Sequence, residues 1–109
     1  MNAITTHVLD TVLGKPGAGI CVSLEKRINR QWSHVGKGVT DADGRCRDLA
    51  ANPEPGKYRL TFETGEYLTR QARSTLYPEI IVVFDFGGDA HYHLPLLLSD
   101  NCYTTYRGS

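Results

Sequence analysis

His91 and His93, two residues apart, are the first positions whose types and spacing suggest chemistry. In an extended strand, residues i and i+2 point to one face, so these imidazoles would stand side by side. Such a pair suits either proton relay or metal binding. Asp89 lies two residues before His91, and no carboxylate falls inside the same short stretch. His7 shares its face with Thr5 and Leu9, and taken alone it reads as a partly exposed strand histidine. His34 has no companions and reads as a surface residue. Arg45 follows the turn dipeptide Asp43-Gly44. Just past a hairpin tip a guanidinium is ordinarily solvated, but in a cleft its planar fork would grip carbonyl or anionic oxygens. The stretch from Tyr103 to Ser109 crowds aromatic, cationic and hydroxyl groups at a chain end, where order is usually lost. Residue types and spacing leave open whether this end is idle or closes a site. They equally leave open a small metal site of His7, His91 and His93. No Gly-x-Ser-x-Gly elbow, P-loop or dinucleotide fingerprint is present.

The elements that must position these residues are strands. Ile20, Val22 and Leu24 alternate with Cys21, Ser23 and Glu25, and Tyr58, Leu60 and Phe62 alternate with charged or hydroxyl residues. Asn29-Arg30 reads as a hairpin tip, and Asp43-Gly44 as another tight turn. Ile80 to Phe84 is β-branched enough to be a central strand. Ala90 to Leu98 reads as the next strand, in which Pro95 predicts an edge or a bulge because it has no N–H to donate. Cys102 to Tyr106 reads as the last. Glu66 to Ser74 breaks the alternation and suits a short helix. Seven or eight short strands separated by turns predict a two-sheet β-sandwich.

The chain has 109 residues, with 12 Lys+Arg against 12 Asp+Glu, 40% hydrophobic and 22% charged. That profile predicts one globular domain over residues 1–109, without repeats or linkers. The balanced charge argues against a nucleic-acid partner, and apolar runs as short as Leu94 to Leu98 argue against a bilayer span. Cys21, Cys46 and Cys102 are odd in number and widely spaced, so plain thiols in a reducing compartment are expected. Residues 1–20 show no basic stretch leading into an apolar one, and the ending Arg-Gly-Ser is not a peroxisomal signal. The expected location is cytoplasmic, with periplasmic or peroxisomal sites less favoured.

Three blocks bear a resemblance. They are Thr5-Thr6-His7-Val8-Leu9-Asp10 with Gly14-Lys15-Pro16; Thr40 to Arg45; and His91-Tyr92-His93-Leu94-Pro95-Leu96-Leu97-Leu98-Ser99 leading to Tyr106-Arg107-Gly108-Ser109. Through them, and through Tyr77-Pro78-Glu79, the chain resembles the transthyretin-like family end to end, and within it the 5-hydroxyisourate hydrolases of urate breakdown. The Tyr-Arg-Gly-Ser ending separates those hydrolases from the hormone-carrying transthyretins. One departure is visible: Asp100-Asn101-Cys102 stands where the family usually has proline, an aromatic residue and glycine. The resemblance implies a transthyretin-like (prealbumin-like) β-sandwich of about eight strands with one short helix. It implies a homotetramer, a dimer of dimers, with active sites in the channel between dimers. The implied reaction, in purine catabolism, opens a ring amide of 5-hydroxyisourate to 2-oxo-4-hydroxy-4-carboxy-5-ureidoimidazoline, without metal or cofactor. In that reading His7 and His93 handle protons, His91 supports or orients, and Arg45 grips the substrate's carbonyl oxygens. Tyr106 positions the ring, and Ser109 holds the water or a histidine tautomer. The competing reading is a small-molecule carrier without catalytic activity, which would call for small apolar side chains where this chain offers His, Arg and Tyr.

Overall fold

The alternation of apolar and polar residues resolves into two facing sheets in a computed structural model, which describes residues 3–108. The strands are β1 (Ile4–Asp10), β2 (Lys15–Pro16), β3 (Cys21–Ile28), β4 (Gln31–Val39), β5 (Arg45–Cys46), β6 (Gly56–Phe62), β7 (Ile80–Phe86), β8 (Tyr92–Leu98) and β9 (Tyr103–Thr105), with helix α1 (Thr64–Thr69) between β6 and β7. One sheet runs β2-β1-β8-β9, with β5 also paired to β1; the other runs β4-β3-β6-β7. Ile4 and Val8 of β1 and Leu94, Leu96 and Leu98 of β8 meet Val22, Leu24, Tyr58, Leu60 and Phe62 of the opposite sheet in the buried core. Each sheet thus spends one residue in two on the core and leaves the alternate residues for its outer face. Among the described residues, no helix is long and apolar enough to cross a membrane.

The sandwich expectation holds, and four local expectations are corrected. First, β7 is not central: it is the edge of its sheet, and its outward residues Ile81 and Val83 are 42% and 53% exposed. A β-branched run reports burial of both faces, and within one protomer β7 has one face covered. Second, Asn29-Arg30 is a two-residue hairpin tip with φ of 51° and 66°, as expected, but Asp43-Gly44 is not. It carries the chain from β4 in one sheet to β5 in the other. Gly44 is needed there: its φ is +78°, and a Cβ would fall 2.3 Å from the Val8 carbonyl oxygen.

Third, Pro95 lies in the middle of a strand paired on both sides. Its carbonyl accepts a hydrogen bond from the Thr105 hydroxyl at 2.8 Å, so its missing N–H also falls on the β9 side. The ladder lapses opposite Pro95 and resumes at the His93–Gly108 bridge. Fourth, the helix spans Thr64–Thr69, not residues 66–74. Gly65 masks its start in the sequence. Its end is a left-handed closure at Ala72 (φ 56°), with bonds from the Arg73 N–H to Leu68 O and from the Ala72 N–H to Thr69 O.

That closure returns Arg73 to the sandwich. Its guanidinium bridges Asp10 Oδ2 (2.6 Å) and Asp100 Oδ1 (2.6 Å), and Tyr67 donates to Asp10 Oδ2 at 2.8 Å. Asn101 Oδ1 accepts the Leu76 N–H at 2.9 Å. Asp100 and Asn101, two of the three residues that depart from the family pattern, therefore tie the turn after β8 to the loop after α1.

Candidate active site

β1 runs parallel to β8 with Thr5 opposite His93 and His7 opposite Pro95, and antiparallel to β5 with His7 opposite Arg45. Register partners share a face, so His7, His93 and Arg45 stand together on the outer face of the β1–β8 sheet. The ring centroids of His7 and His93 are 6.4 Å apart, and those of His91 and His93 are 6.2 Å apart. His91 just precedes β8, yet it stays on this face because its Nε2 lies 2.7 Å from Thr5 Oγ1, which is also 2.8 Å from His93 Nδ1. His7 Nε2–H donates to the Asp43 carbonyl at 2.8 Å. A carbonyl only accepts, so neutral His7 carries its proton on Nε2 and keeps a lone pair on Nδ1.

The turn before β5 is braced for this task. Asp41 Oδ1 accepts the N–H groups of Asp43 (2.9 Å) and Arg45 (3.0 Å), and Gly44 N–H bonds to Asp41 O. The two bonds to the carboxyl, the one from Arg45 foremost, hold it below its ordinary range. The brace fixes both the carbonyl that orients His7 and the start of Arg45.

His93 is partly buried and surrounded by positive or protonatable groups. Burial, then His7, His91, Arg45 and Arg47, lower its pKa from the ordinary 6.5. The ring at the centre of the cluster is therefore held neutral, as a proton acceptor in water must be. The surrounding charge favours carbonyl oxygens and a developing oxyanion.

The tail reaches the same place. Gly108 N–H donates to His93 O at 2.7 Å, and a Cβ on Gly108 would lie 2.9 Å from His93 Cδ2, so only glycine passes this ring so closely. Tyr106 falls opposite Pro95 in the register that resumes at Gly108, and is 52% exposed. Arg107 turns to the other side and stacks on Tyr92, 3.9 Å from the ring centroid. Ser109 lies outside the described residues.

Of the residues singled out in the sequence, His7, Arg45, His91 and His93 converge, with Tyr106 at the rim, while exposed His34 stays in the other sheet. Sequence reasoning missed two members. Thr5 stands in the sequence only as a neighbour of His7 on its strand, and the one signal for Arg47 is its i+2 spacing from Arg45. Among the described residues, no group of three or more His, Cys, Asp or Glu is placed to hold a metal ion.

A two-sheet sandwich with imidazoles and guanidinium groups gathered on one outer face is a scaffold for acid–base chemistry on a small polar molecule. Residues 4–108 match the model of the HIUase/Transthyretin family, and the chain belongs to that family. It is 42% identical to the 5-hydroxyisourate hydrolase of Salmonella dublin, over 99% of this chain and 82% of that one. It is 40% identical to the mouse (Mus musculus) 5-hydroxyisourate hydrolase, over 99% and 96%. Among solved structures, sea bream transthyretin in complex with thyroxine superposes with a TM-score of 0.93 at 32% identity, covering 97% of this chain and 94% of that one. The Klebsiella pneumoniae 5-hydroxyisourate hydrolase superposes with a TM-score of 0.87 at 36% identity, covering 97% and 98%.

Proposed function

We infer that this chain hydrolyses a ring amide of 5-hydroxyisourate, giving 2-oxo-4-hydroxy-4-carboxy-5-ureidoimidazoline in purine catabolism. The observation that carries the reading is the convergence of His7, Arg45 and His93 on one face, in a chain about as similar to hydrolases as 42% over nearly its full length. Since a carrier and a hydrolase share this fold, the site decides between them.

Amide hydrolysis needs a base for water, a stabiliser for the oxyanion and an acid for the leaving nitrogen. His93 is assigned the base: its Nδ1 is taken up by Thr5, which leaves Nε2 for water. His7 is assigned the second proton-handling role through Nδ1, since Asp43 holds its Nε2–H. Arg45, fixed beside His7 by the strand register, is assigned the substrate's carbonyl oxygens and the oxyanion. Tyr106 is assigned the ring of the substrate.

The test is the ultraviolet absorbance of urate just converted by urate oxidase. Decay faster than the spontaneous rate supports the reading, and an unchanged rate sinks it. The kcat/KM profile adds a second check. A base must be neutral, and His93 stays neutral below the ordinary 6.5. The acid limb of kcat/KM is therefore expected to fall below pH 6.5; an inflection above that value would remove His93 from the role.

The assembly is assigned as a homotetramer, a dimer of dimers, with the histidine face lining a channel between dimers. Exposed Ile81 and Val83 on the β7 edge, and ionisable groups on an open sheet face, support it. Light scattering is expected to give four times the 12.1 kDa chain mass, and a monomer would refute it.

A further inference from the structure

A single hydroxyl sits between two imidazoles in this site. Thr5 is 5% exposed, and its Oγ1 is 2.7 Å from His91 Nε2 and 2.8 Å from His93 Nδ1. A hydroxyl has one proton to give, so with both rings neutral it donates to one nitrogen and accepts from the other. Only two arrangements satisfy both bonds. Either His93 Nδ1–H donates to Thr5 and Thr5 donates to His91 Nε2, or His91 Nε2–H donates to Thr5 and Thr5 donates to His93 Nδ1. In the first, both rings carry their proton on Nδ1; in the second, both carry it on Nε2. The two tautomers are locked to each other through one rotor.

We propose that Thr5 is a positioning residue for the hydrolysis, a hydroxyl relay that sets the tautomer of His93 and passes its proton to His91. The inference rests on His93 as the base. The resting state is the first arrangement, which leaves His93 Nε2 bare toward the attacking water. When Nε2 takes the water's proton, Nδ1 gives its proton to Thr5 Oγ1, and Thr5 gives its own to His91 Nε2. Thr5 gains one proton and loses one; His93 ends neutral, with its proton on Nε2; His91 becomes the imidazolium. Return transfer restores the proton to His93 Nδ1 as its Nε2–H is handed on to the leaving nitrogen by way of His7 Nδ1, which takes up that proton and gives it away again.

The surroundings favour this direction. His93 is partly buried and faces His7 from β1, Arg45 from β5, Arg47 just after it, and His91, so a full positive charge is poorly placed there. His91 is exposed, and water solvates a cation at that position. The relay moves the charge from the crowded ring to the solvated one without moving either ring.

Thr5→Val keeps the β-branched shape and removes the hydroxyl, whereas Thr5→Ser keeps the hydroxyl. The expected result is a fall of kcat by about 10²-fold in the valine variant, the lower end of a general acid–base contribution, with KM little changed and serine restoring most of it. The double variant Thr5→Val/His91→Ala should lose no more than the worse single, because both cut one relay. Nitrogen-15 NMR of the imidazoles, recorded without substrate above pH 7, should show both His91 and His93 as the Nδ1–H form in the unaltered protein and no longer so in the valine variant. A folded valine variant with unchanged kcat, multiplying losses in the double variant, or any other tautomer pair in the unaltered protein overturns the proposal. The NMR result is independent of turnover, so failure of the hydrolase reading and failure of the relay are distinguishable.

Discussion

His93→Ala is expected to lower kcat/KM toward 5-hydroxyisourate by about 10²- to 10⁴-fold, the range of a lost general base. In free energy that is about 3–5 kcal/mol of transition-state stabilisation. The ring projects from the outer face of β8, opposite Thr5, and contributes nothing to the core between the sheets. Removing it costs two things: the hydrogen bond to Thr5 and the surface on which Gly108 packs. The thermal midpoint should therefore move by only a few degrees while turnover collapses. His7→Ala combined with it should not multiply the loss, because proton-handling groups that act as a unit are not additive. Fresh substrate, a stopped-flow spectrometer and a melting curve suffice. An alanine variant that keeps near-normal turnover would show that the water is activated elsewhere.

Arg73→Met is expected to produce the opposite pattern, a large loss of stability with kcat nearly intact. Asp10 is 1% exposed, and Arg73 is its cationic partner. Burial pushes the Asp10 carboxyl up, but the hydrogen bonds from Arg73, Tyr67 and the Leu13 N–H, with the Arg73 charge, outweigh it and bring it to about 2. The same two carboxylates hold the Arg73 guanidinium firmly protonated. Removing one partner from a buried pair leaves an unmatched charge, at a cost of about 3–5 kcal/mol. For a domain of this size the thermal midpoint should fall by about 10–20 °C. The sign with pH follows from the carboxyl: its pKa is lower folded than the ordinary 3.8. Its contribution is present above pH 3.8 and is lost as pH falls through about 2. Without Arg73 the carboxyl titrates higher, so acid unfolding should begin at a higher pH. A melting curve that moves by less than about 2 °C would mean that the pair is solvated and holds little together.

Strand identity was legible because it depends on local alternation, as in Ile20 to Glu25 and Tyr58 to Glu63. Sheet order was not. Whether Ile80 to Phe86 is an edge or a centre depends on what pairs with it, and that information lies in other strands. The same holds for Asp43-Gly44, whose turn chemistry is that of a hairpin while its geometry joins two sheets. At the site, the i+2 spacing gave the shared face of His91 and His93, because that spacing is a property of the strand itself. Their union with His7 and Arg45 needs the parallel register of β1 on β8, which no periodicity encodes; family likeness supplied it. Thr5 went unremarked as a functional residue because a threonine in a strand is ordinary. Its importance comes from one oxygen being equidistant from two rings that lie 86 and 88 residues along the chain.

The β1–β8 pairing also dictates when this protein acquires its activity. One edge of β1 stays unmatched until residues 92–98 have been synthesised. Until that stretch can pair, the edge has no partner, and His7 and His93 do not yet share a face. Long-range parallel pairing of this kind is slow to form and leaves a bare strand waiting. A chaperone that shields β1 during translation would therefore guard an edge that is open to misassembly.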